Sequence, residues 1–305
     1  MMSPPNSPVV SVEELAGLVE RKPAGGLVTV DLRWVLGQPG AGHRAFDAGH
    51  IPGAIFIDLD DDLADPDGFG APGRHPLPDP SPFVERMAEV GIGDGSTVVG
   101  YDDAGGWVAA RLWWMLDNLG FGRRGIGGER VAVLDGGIGA WTASGRQLSS
   151  EPVAVPAARL SLSGEWTGII ARDELRARLG SVALLDARAA PRYRGETEPI
   201  DPVAGHIPTA VSAPFADNLG PDGRFLPPAE LRARFAALGA DGSGAGPGAV
   251  VTSCGSGTSA CHHSLAMRVA GLPDPILYVG SYSDWSRSGE PIATGPEPGG
   301  PPGAT

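Results

Sequence analysis

Residues Ala48–Ala54 read AGHIPGA, and residues Ala204–Ala210 read AGHIPTA. The recurrence is part of a longer duplication. Leu27–Arg33 (LVTVDLR) parallels Val182–Arg188 (VALLDAR), and Thr97–Asp102 (TVVGYD) parallels Ala249–Cys254 (AVVTSC). Val131–Gly137 (VAVLDGG), followed by Trp141, parallels Pro275–Ser281 (PILYVGS), followed by Trp285. A period of about half the chain is too long for a solenoid and specifies two homologous domains.

Each copy follows the same order. A helix comes first, at Ser11–Leu15 and at Ala171–Leu175; Ser11 and Glu14 have the spacing of a capping box. Short apolar runs follow at Val28–Leu32, Val98–Tyr101 and Val131–Leu134, with counterparts in the second copy. Between them lie amphipathic helical stretches at Pro82–Val90 and Val108–Leu119, matched by Ala229–Leu238 and Ala260–Ala270. Continuous apolar strands alternating with helices predict an α/β fold of two tandem domains, each a mostly parallel sheet with helices on both faces. The expected boundaries are 9–150 for the first domain, 151–166 for a linker without periodicity and 167–294 for the second domain. The Gly/Pro-rich residues 295–305 are expected to be a disordered tail.

Composition narrows the function. The 305 residues carry a net charge of −13, which opposes binding to nucleic acid or to an anionic membrane. No run approaches the ~20 apolar residues of a membrane span, and the N-terminus lacks the pattern of a secretory signal. Two cysteines in such a chain argue against a disulfide scaffold and fit a reducing cytoplasm.

One of those cysteines decides the chemistry. Val250–Ala260 reads VVTSCGSGTSA: an apolar strand, then Cys254 in a Gly/Ser loop, then a helical pattern from Ala260. Gly255 and Gly257 allow positive φ, so such a loop can wrap its amides around the Cys254 sulfur, with a helix N-terminus also facing it. Both effects favour a thiolate, and the same cradle suits a persulfide. A Cys254–Cys261 disulfide is not expected, because the intervening helical rise separates the two. Cys261, His262 and His263 are neighbouring helix positions that face different ways, so they read as packing and surface rather than a metal cluster. Cysteine phosphatases need an Arg six residues after the Cys, where this chain has Ala260.

With these motifs in order and in duplicate, the chain resembles the two-domain rhodanese family, the thiosulfate and 3-mercaptopyruvate sulfurtransferases, from Val9 to Thr294. The marks are Gly49–Pro52 and Gly205–Pro208, Asp135–Gly137 with Trp141, Tyr278–Ser281 with Trp285, and Cys254–Gly257. The resemblance implies a catalytically inert first domain, and Asp102 indeed stands where the repeat would put a nucleophile. It implies a Cys254 persulfide cradled by a loop in which Gly255, Gly257, Thr258 and Ser259 bind substrate. Thiosulfate-preferring members resemble Cys-Arg-Lys-Gly at this loop, and mercaptopyruvate-preferring members resemble Cys-Gly-Ser-Gly, as here. Mercaptopyruvate leaves as an enolate that must gain a proton, and a hydroxyl beside the sulfur can relay one.

The resemblance therefore assigns Ser256 as the relay, His75 and Asp60 as the groups behind it, and Arg192 as the cation for a substrate carboxylate. Arg188 reads as structural. His50 and His206 occur in both copies, which also favours a structural role. A second substrate Arg found in some members is missing from the acidic loop Gly195–Asp201. The expected activity is transfer of sulfane sulfur from 3-mercaptopyruvate to a thiol or cyanide acceptor, a thioredoxin-like protein among them, without cofactor or metal. Transfer from thiosulfate at the same site is the alternative, and a non-catalytic persulfide relay module is the rival from another class.

Overall fold

The computed structural model describes residues 7–21, 23, 26–121, 130–153, 156–241 and 250–301. They form two compact units, each built on a parallel five-stranded sheet. The first sheet uses β1 (Val9–Val10), β2 (Leu27–Asp31), β3 (Ile55–Phe56), β4 (Thr97–Tyr101) and β5 (Val131–Leu134), in the order β1-β5-β4-β2-β3. The second uses β6 (Ile169–Ile170), β7 (Ala183–Asp186), β8 (Val211–Ser212), β9 (Val250–Ser253) and β10 (Ile276–Tyr278), in the order β6-β10-β9-β7-β8. The two orders are the same strand for strand. The register within each sheet is also equivalent: Asp31 pairs with Tyr101 and Asp186 with Ser253, one residue short of Asp102 and Cys254.

Strand burial explains the apolar runs. Every residue of β5 and of β9 is buried, and side chains alternate between faces, so both faces are covered. Each unit has its own core. Val12, Leu15, Ile51, Val99, Leu134 and Trp141 pack together in the first unit. Ile170, Leu175, Ile207, Val251, Tyr278 and Trp285 pack together in the second. The capping box at the first helix is formed, with Ser11 N–H donating to Glu14 Oε2 at 2.8 Å and Glu14 N–H to Ser11 Oγ at 3.2 Å.

Several expectations are corrected. The helices Trp107–Asn118 and Ala260–Val269 are buried nearly all round rather than amphipathic; the first packs on β4 and β5, and the second lies between β9 and the helices Phe215–Asn218 and Pro228–Ala237. The strand expected before Cys254 is found at Val250–Ser253; residues 248 and 249 lie outside the described residues. Residues 295–301 make backbone contacts with the second unit. Gly295 N–H donates to Arg194 O at 2.9 Å, and Thr209 N–H donates to Pro298 O at 2.6 Å. Residues 302–305 lie outside the described residues.

The two units are not consecutive pieces of chain. Ala64–Pro78 packs with the second unit and Pro221–Phe225 with the first. Glycines permit the former: a Cβ on Gly70 would lie 2.7 Å from Val279 Cγ1, and one on Gly73 would lie 2.9 Å from Gly280 O. Residues 156–166, expected as linker, are strapped to the first unit. Ala158 N–H donates to Ala88 O at 2.8 Å, and Trp166 stacks on Trp114 with ring centroids 6.0 Å apart.

Candidate active site

β9 delivers Cys254 into a turn whose backbone is fixed on both sides. Cys254 N–H donates to Ser281 Oγ at 3.0 Å, Tyr282 N–H to Cys254 O at 3.0 Å, and Ser283 N–H to Gly255 O at 2.9 Å. Ser281 holds a left-handed φ of 51°, an uncommon conformation for a residue with a side chain and one that clusters at functional sites. The Cys254 sulfur is buried and takes two amides, Gly257 N–H at 3.1 Å and Ser256 N–H at 3.4 Å. Gly257 has φ 82°, and a Cβ there would stand 2.4 Å from Val279 O. Only glycine can turn that amide inward so close to the neighbouring chain. Ser259 immediately precedes the helix Ala260–Val269, whose first turn follows the loop.

The first unit has a strand-to-helix loop at the same place in its fold, one residue shorter, around a different side chain. Asp102 accepts from Ala104 N–H (2.9 Å) and Gly106 N–H (2.7 Å) through Oδ1, and from Val108 N–H (2.9 Å) and Ala109 N–H (3.2 Å) through Oδ2. Burial pushes this carboxyl above the usual range, while all four amides act against that rise. In this copy the loop amides therefore converge on the two oxygens of a buried carboxyl group.

Behind Cys254, His75 Nδ1 lies 2.7 Å from Ser256 Oγ and 3.4 Å from Thr258 Oγ1. Both His75 and Ser256 are buried. His75 is brought there by the 64–78 segment that packs in the second unit. The structure therefore gathers Cys254, Gly255, Ser256, Gly257, Thr258 and His75 in one unit. Asp60 lies in the first unit, on the short helix Leu59–Asp62, where its carboxylate accepts from Trp34 Nε1 at 2.8 Å.

Arg192 lies beside the loop: a Cβ on Gly255 would stand 3.5 Å from its Nη1. The acidic loop that follows holds it in place. Arg192 donates through Nη2 to Glu198 Oε1 at 2.7 Å and to Asp201 Oδ2 at 3.3 Å. Burial pushes the Glu198 carboxyl up, but Arg192 and the Asp201 and Ile200 amides outweigh it and leave it below its ordinary value. Arg74 was not anticipated as a site residue. Its guanidinium reaches the same place, with Nη2 2.8 Å from the position of a Gly255 Cβ and Nη1 bonded to Asp201. Arg287 also reaches Asp201, at 3.1 Å. A lone Arg in a Gly/Pro loop has no sequence signature; adjacency to His75 was the sole hint.

Other singled-out residues hold the framework. Arg188 is clamped on Asp186 (Nη2–Oδ2 2.6 Å), donates to Gly205 O at 2.8 Å and lies over the Tyr282 ring at 3.8 Å. Arg33 repeats the arrangement on Asp31 and Gly49 O. His50 and His206 place Nδ1 2.9 Å from Phe46 O and 2.8 Å from Tyr193 O. Both cysteines are free, and Cys261 donates to Gly257 O at 3.3 Å. Cys261, His262 and His263 are buried, none at the surface, because their helix is enclosed. Among the described residues no group of three His, Cys, Asp or Glu could hold a metal ion, and no helix is long and apolar enough to cross a membrane.

Comparison with known proteins places this geometry. The rhodanese-like domain family matches residues 11–144 and again 171–288. A probable 3-mercaptopyruvate sulfurtransferase of Pseudomonas aeruginosa is 46% identical over 272 residues, covering 88% of this chain and 93% of that one. A putative thiosulfate sulfurtransferase of Mycobacterium tuberculosis is 37% identical over 285 residues, covering 91% and 93%. Among solved structures, the 3-mercaptopyruvate sulfurtransferase from Leishmania major superposes with a TM-score of 0.76 at 28% identity, covering 94% of this chain and 76% of that one.

Proposed function

Since the chain belongs to the rhodanese-like family and is a sulfurtransferase, we propose that it moves sulfane sulfur from 3-mercaptopyruvate through a Cys254 persulfide to a thiol or cyanide acceptor. One observation carries the choice of donor. His75 Nδ1 and Ser256 Oγ lie 2.7 Å apart, buried beside the cradled sulfur. A leaving group that departs as sulfite needs no proton, whereas an enolate does.

In the first half-reaction the Cys254 thiolate attacks the donor sulfur. An S–S bond forms, the donor C–S bond breaks, and its electron pair goes to the enolate of pyruvate. Ser256 delivers a proton to that carbon and is resupplied through His75, which takes up the proton released by the donor's thiol, so pyruvate leaves and the outer sulfur stays anionic. In the second half-reaction the acceptor attacks the outer sulfur, the S–S bond breaks, and Cys254 regains its thiolate. The Ser256 and Gly257 amides hold the anionic sulfur throughout. Arg192 binds the donor carboxylate with a planar fork suited to it. Asp60 keeps its part as the acid behind His75 on the sequence pattern alone. The first domain is proposed to be inert, because Asp102 cannot form a persulfide. Two free cysteines support a cytoplasmic setting, and a thioredoxin-like thiol fits as acceptor.

The test compares pyruvate release from 3-mercaptopyruvate with thiocyanate formation from thiosulfate, cyanide being the acceptor in both. Wild type should favour the first reaction. Cys254→Ser should abolish both, and Ser256→Ala should slow pyruvate release by about 10²–10⁴ while sparing thiosulfate. Thiosulfate winning, with Ser256→Ala harmless, would overturn the proton relay. Silence with both donors would point to a relay module loaded by a partner protein.

A further inference from the structure

Two hydroxyls of the Cys254 loop reach one nitrogen of His75. Ser256 Oγ lies 2.7 Å from Nδ1, and Thr258 Oγ1 lies 3.4 Å from the same atom. The two residues flank Gly257, whose φ of 82° turns the chain between them. Thr258 is fixed from behind, where Cys261 N–H donates to its carbonyl at 3.0 Å. All three side chains, His75, Ser256 and Thr258, are buried. A ring nitrogen in such a place has to be met by a protein group, because a buried polar atom left unpaired is costly.

The nearer hydroxyl has a second destination. In the relay described above, Ser256 O–H passes its hydrogen to the carbon of the leaving enolate, and Nδ1–H passes its own to Ser256 Oγ. The Nδ1–H bond breaks, its electron pair stays on Nδ1, and the ring is left neutral. A hydroxyl carries one hydrogen. While the Ser256 O–H points at the donor it cannot also point at Nδ1. The Thr258 hydroxyl keeps its own hydrogen throughout and stands within reach of the same nitrogen.

We propose that Thr258 is a positioning residue for the transfer, which rests on the reading of Ser256 and His75 as the proton relay: its O–H donates to Nδ1 of the neutral ring whenever Ser256 O–H is turned to the donor. The ring then keeps its orientation while Ser256 rotates. When His75 takes up the proton of the next donor's thiol, Nδ1–H donates to Ser256 Oγ, the nearer oxygen, and the Thr258 bond is released. A hydroxyl can follow both states because it donates and accepts. A methyl group of the same shape can follow neither.

The test uses the full chain with isotope-labelled histidine and the variants Thr258→Val, Thr258→Ser, Ser256→Ala and Ser256→Ala with Thr258→Val. The ring-nitrogen resonances of His75, assigned by their loss in His75→Gln, are recorded without any donor at a pH where the ring is neutral. Ser256→Ala mimics the state in which Ser256 has turned away, so Nδ1 should keep the signature of an accepted hydrogen bond. Adding Thr258→Val should remove it. In pyruvate release from 3-mercaptopyruvate, Thr258→Val should lower kcat about 5–10-fold with KM little changed, and Thr258→Ser should recover most of the loss. An Nδ1 resonance that is the same in Ser256→Ala and in the double variant would overturn the proposal and leave the relay standing, as would an unchanged kcat in Thr258→Val beside a slowed Ser256→Ala. Ser256→Ala releasing pyruvate like wild type would overturn the relay itself and the role of Thr258 with it.

Discussion

Gly257→Ala separates the loop's backbone geometry from its chemistry. The residue sits at φ 82°, and a Cβ would meet Val279 O at 2.4 Å, Val279 C at 3.2 Å and Val279 Cα at 3.3 Å. The left-handed conformation costs an alanine about 1–2 kcal/mol. Relieving the clash with backbone atoms costs about 1–3 kcal/mol more. The sum, roughly 2–5 kcal/mol, is a large part of the ~5–15 kcal/mol that holds a domain folded. The same shift moves Gly257 N–H away from the Cys254 sulfur, now 3.1 Å away. Urea unfolding should show the stability loss, and cyanolysis of donor-treated protein should show less bound sulfur. Gly139→Ala is the control: Gly139 lies in the helix Gly137–Ala143, and nothing stands within 4 Å of its Cβ position. Its replacement should stabilise by about 0.5–1 kcal/mol. A Gly257→Ala protein that unfolds like wild type and loads sulfur fully would refute the reasoning.

Two further outcomes follow from buried groups. Asp102→Asn replaces an acceptor of four amides by a side chain that brings its own N–H donors; stability should fall by about 2–4 kcal/mol, with sulfur loading of Cys254 retained, and a variant as stable as wild type would refute the cradle's need for two acceptor oxygens. His263 is held down to about 3, first by burial and then by Arg234 and His262. Its folded pKa lies below the unfolded value of about 6.5, so the unfolded chain takes up the proton first. This contribution is whole above pH 6.5 and is lost as pH falls toward 3. It amounts to about 2 kcal/mol by pH 5. The drop in urea midpoint between pH 7.5 and 5 should shrink in His263→Gln, and an undiminished drop would assign the acid sensitivity elsewhere.

How far the sequence could be read depended on repetition. The strands were legible because each apolar run occurs twice with matching neighbours, and Cys254 was legible because its loop interrupts that pattern between strand and helix. The exchange of Ala64–Pro78 and Pro221–Phe225 was not legible, since periodicity assigns residues to the nearest contiguous domain. What holds these segments are long-range contacts, such as Phe225 N–H to Asp135 Oδ1 at 2.8 Å and Arg74 N–H to Ser283 Oγ at 3.0 Å. Along the chain the acidic loop Gly195–Asp201 offers no second cation. In the fold its Glu198 and Asp201 orient the cations instead, a relation that linear charge cannot express. The triplet Cys261–His263 looked partly external because one helix face usually meets water, whereas here the helix is enclosed.

The Asp102 loop is, in effect, a casting of an intermediate. A carboxylate oxygen stands two bonds from Cβ, as does the outer sulfur of a cysteine persulfide. If Cys254 carries the persulfide proposed above, the amides on the Asp102 oxygens show how backbone N–H groups can meet an atom at that reach. The two loops correspond through their helix starts rather than by counting from the side chain, because Trp107 lies five residues after Asp102 and Ala260 six after Cys254. The first copy of the repeat thus holds an oxygen at the reach that the outer sulfur of a persulfide would have in the second.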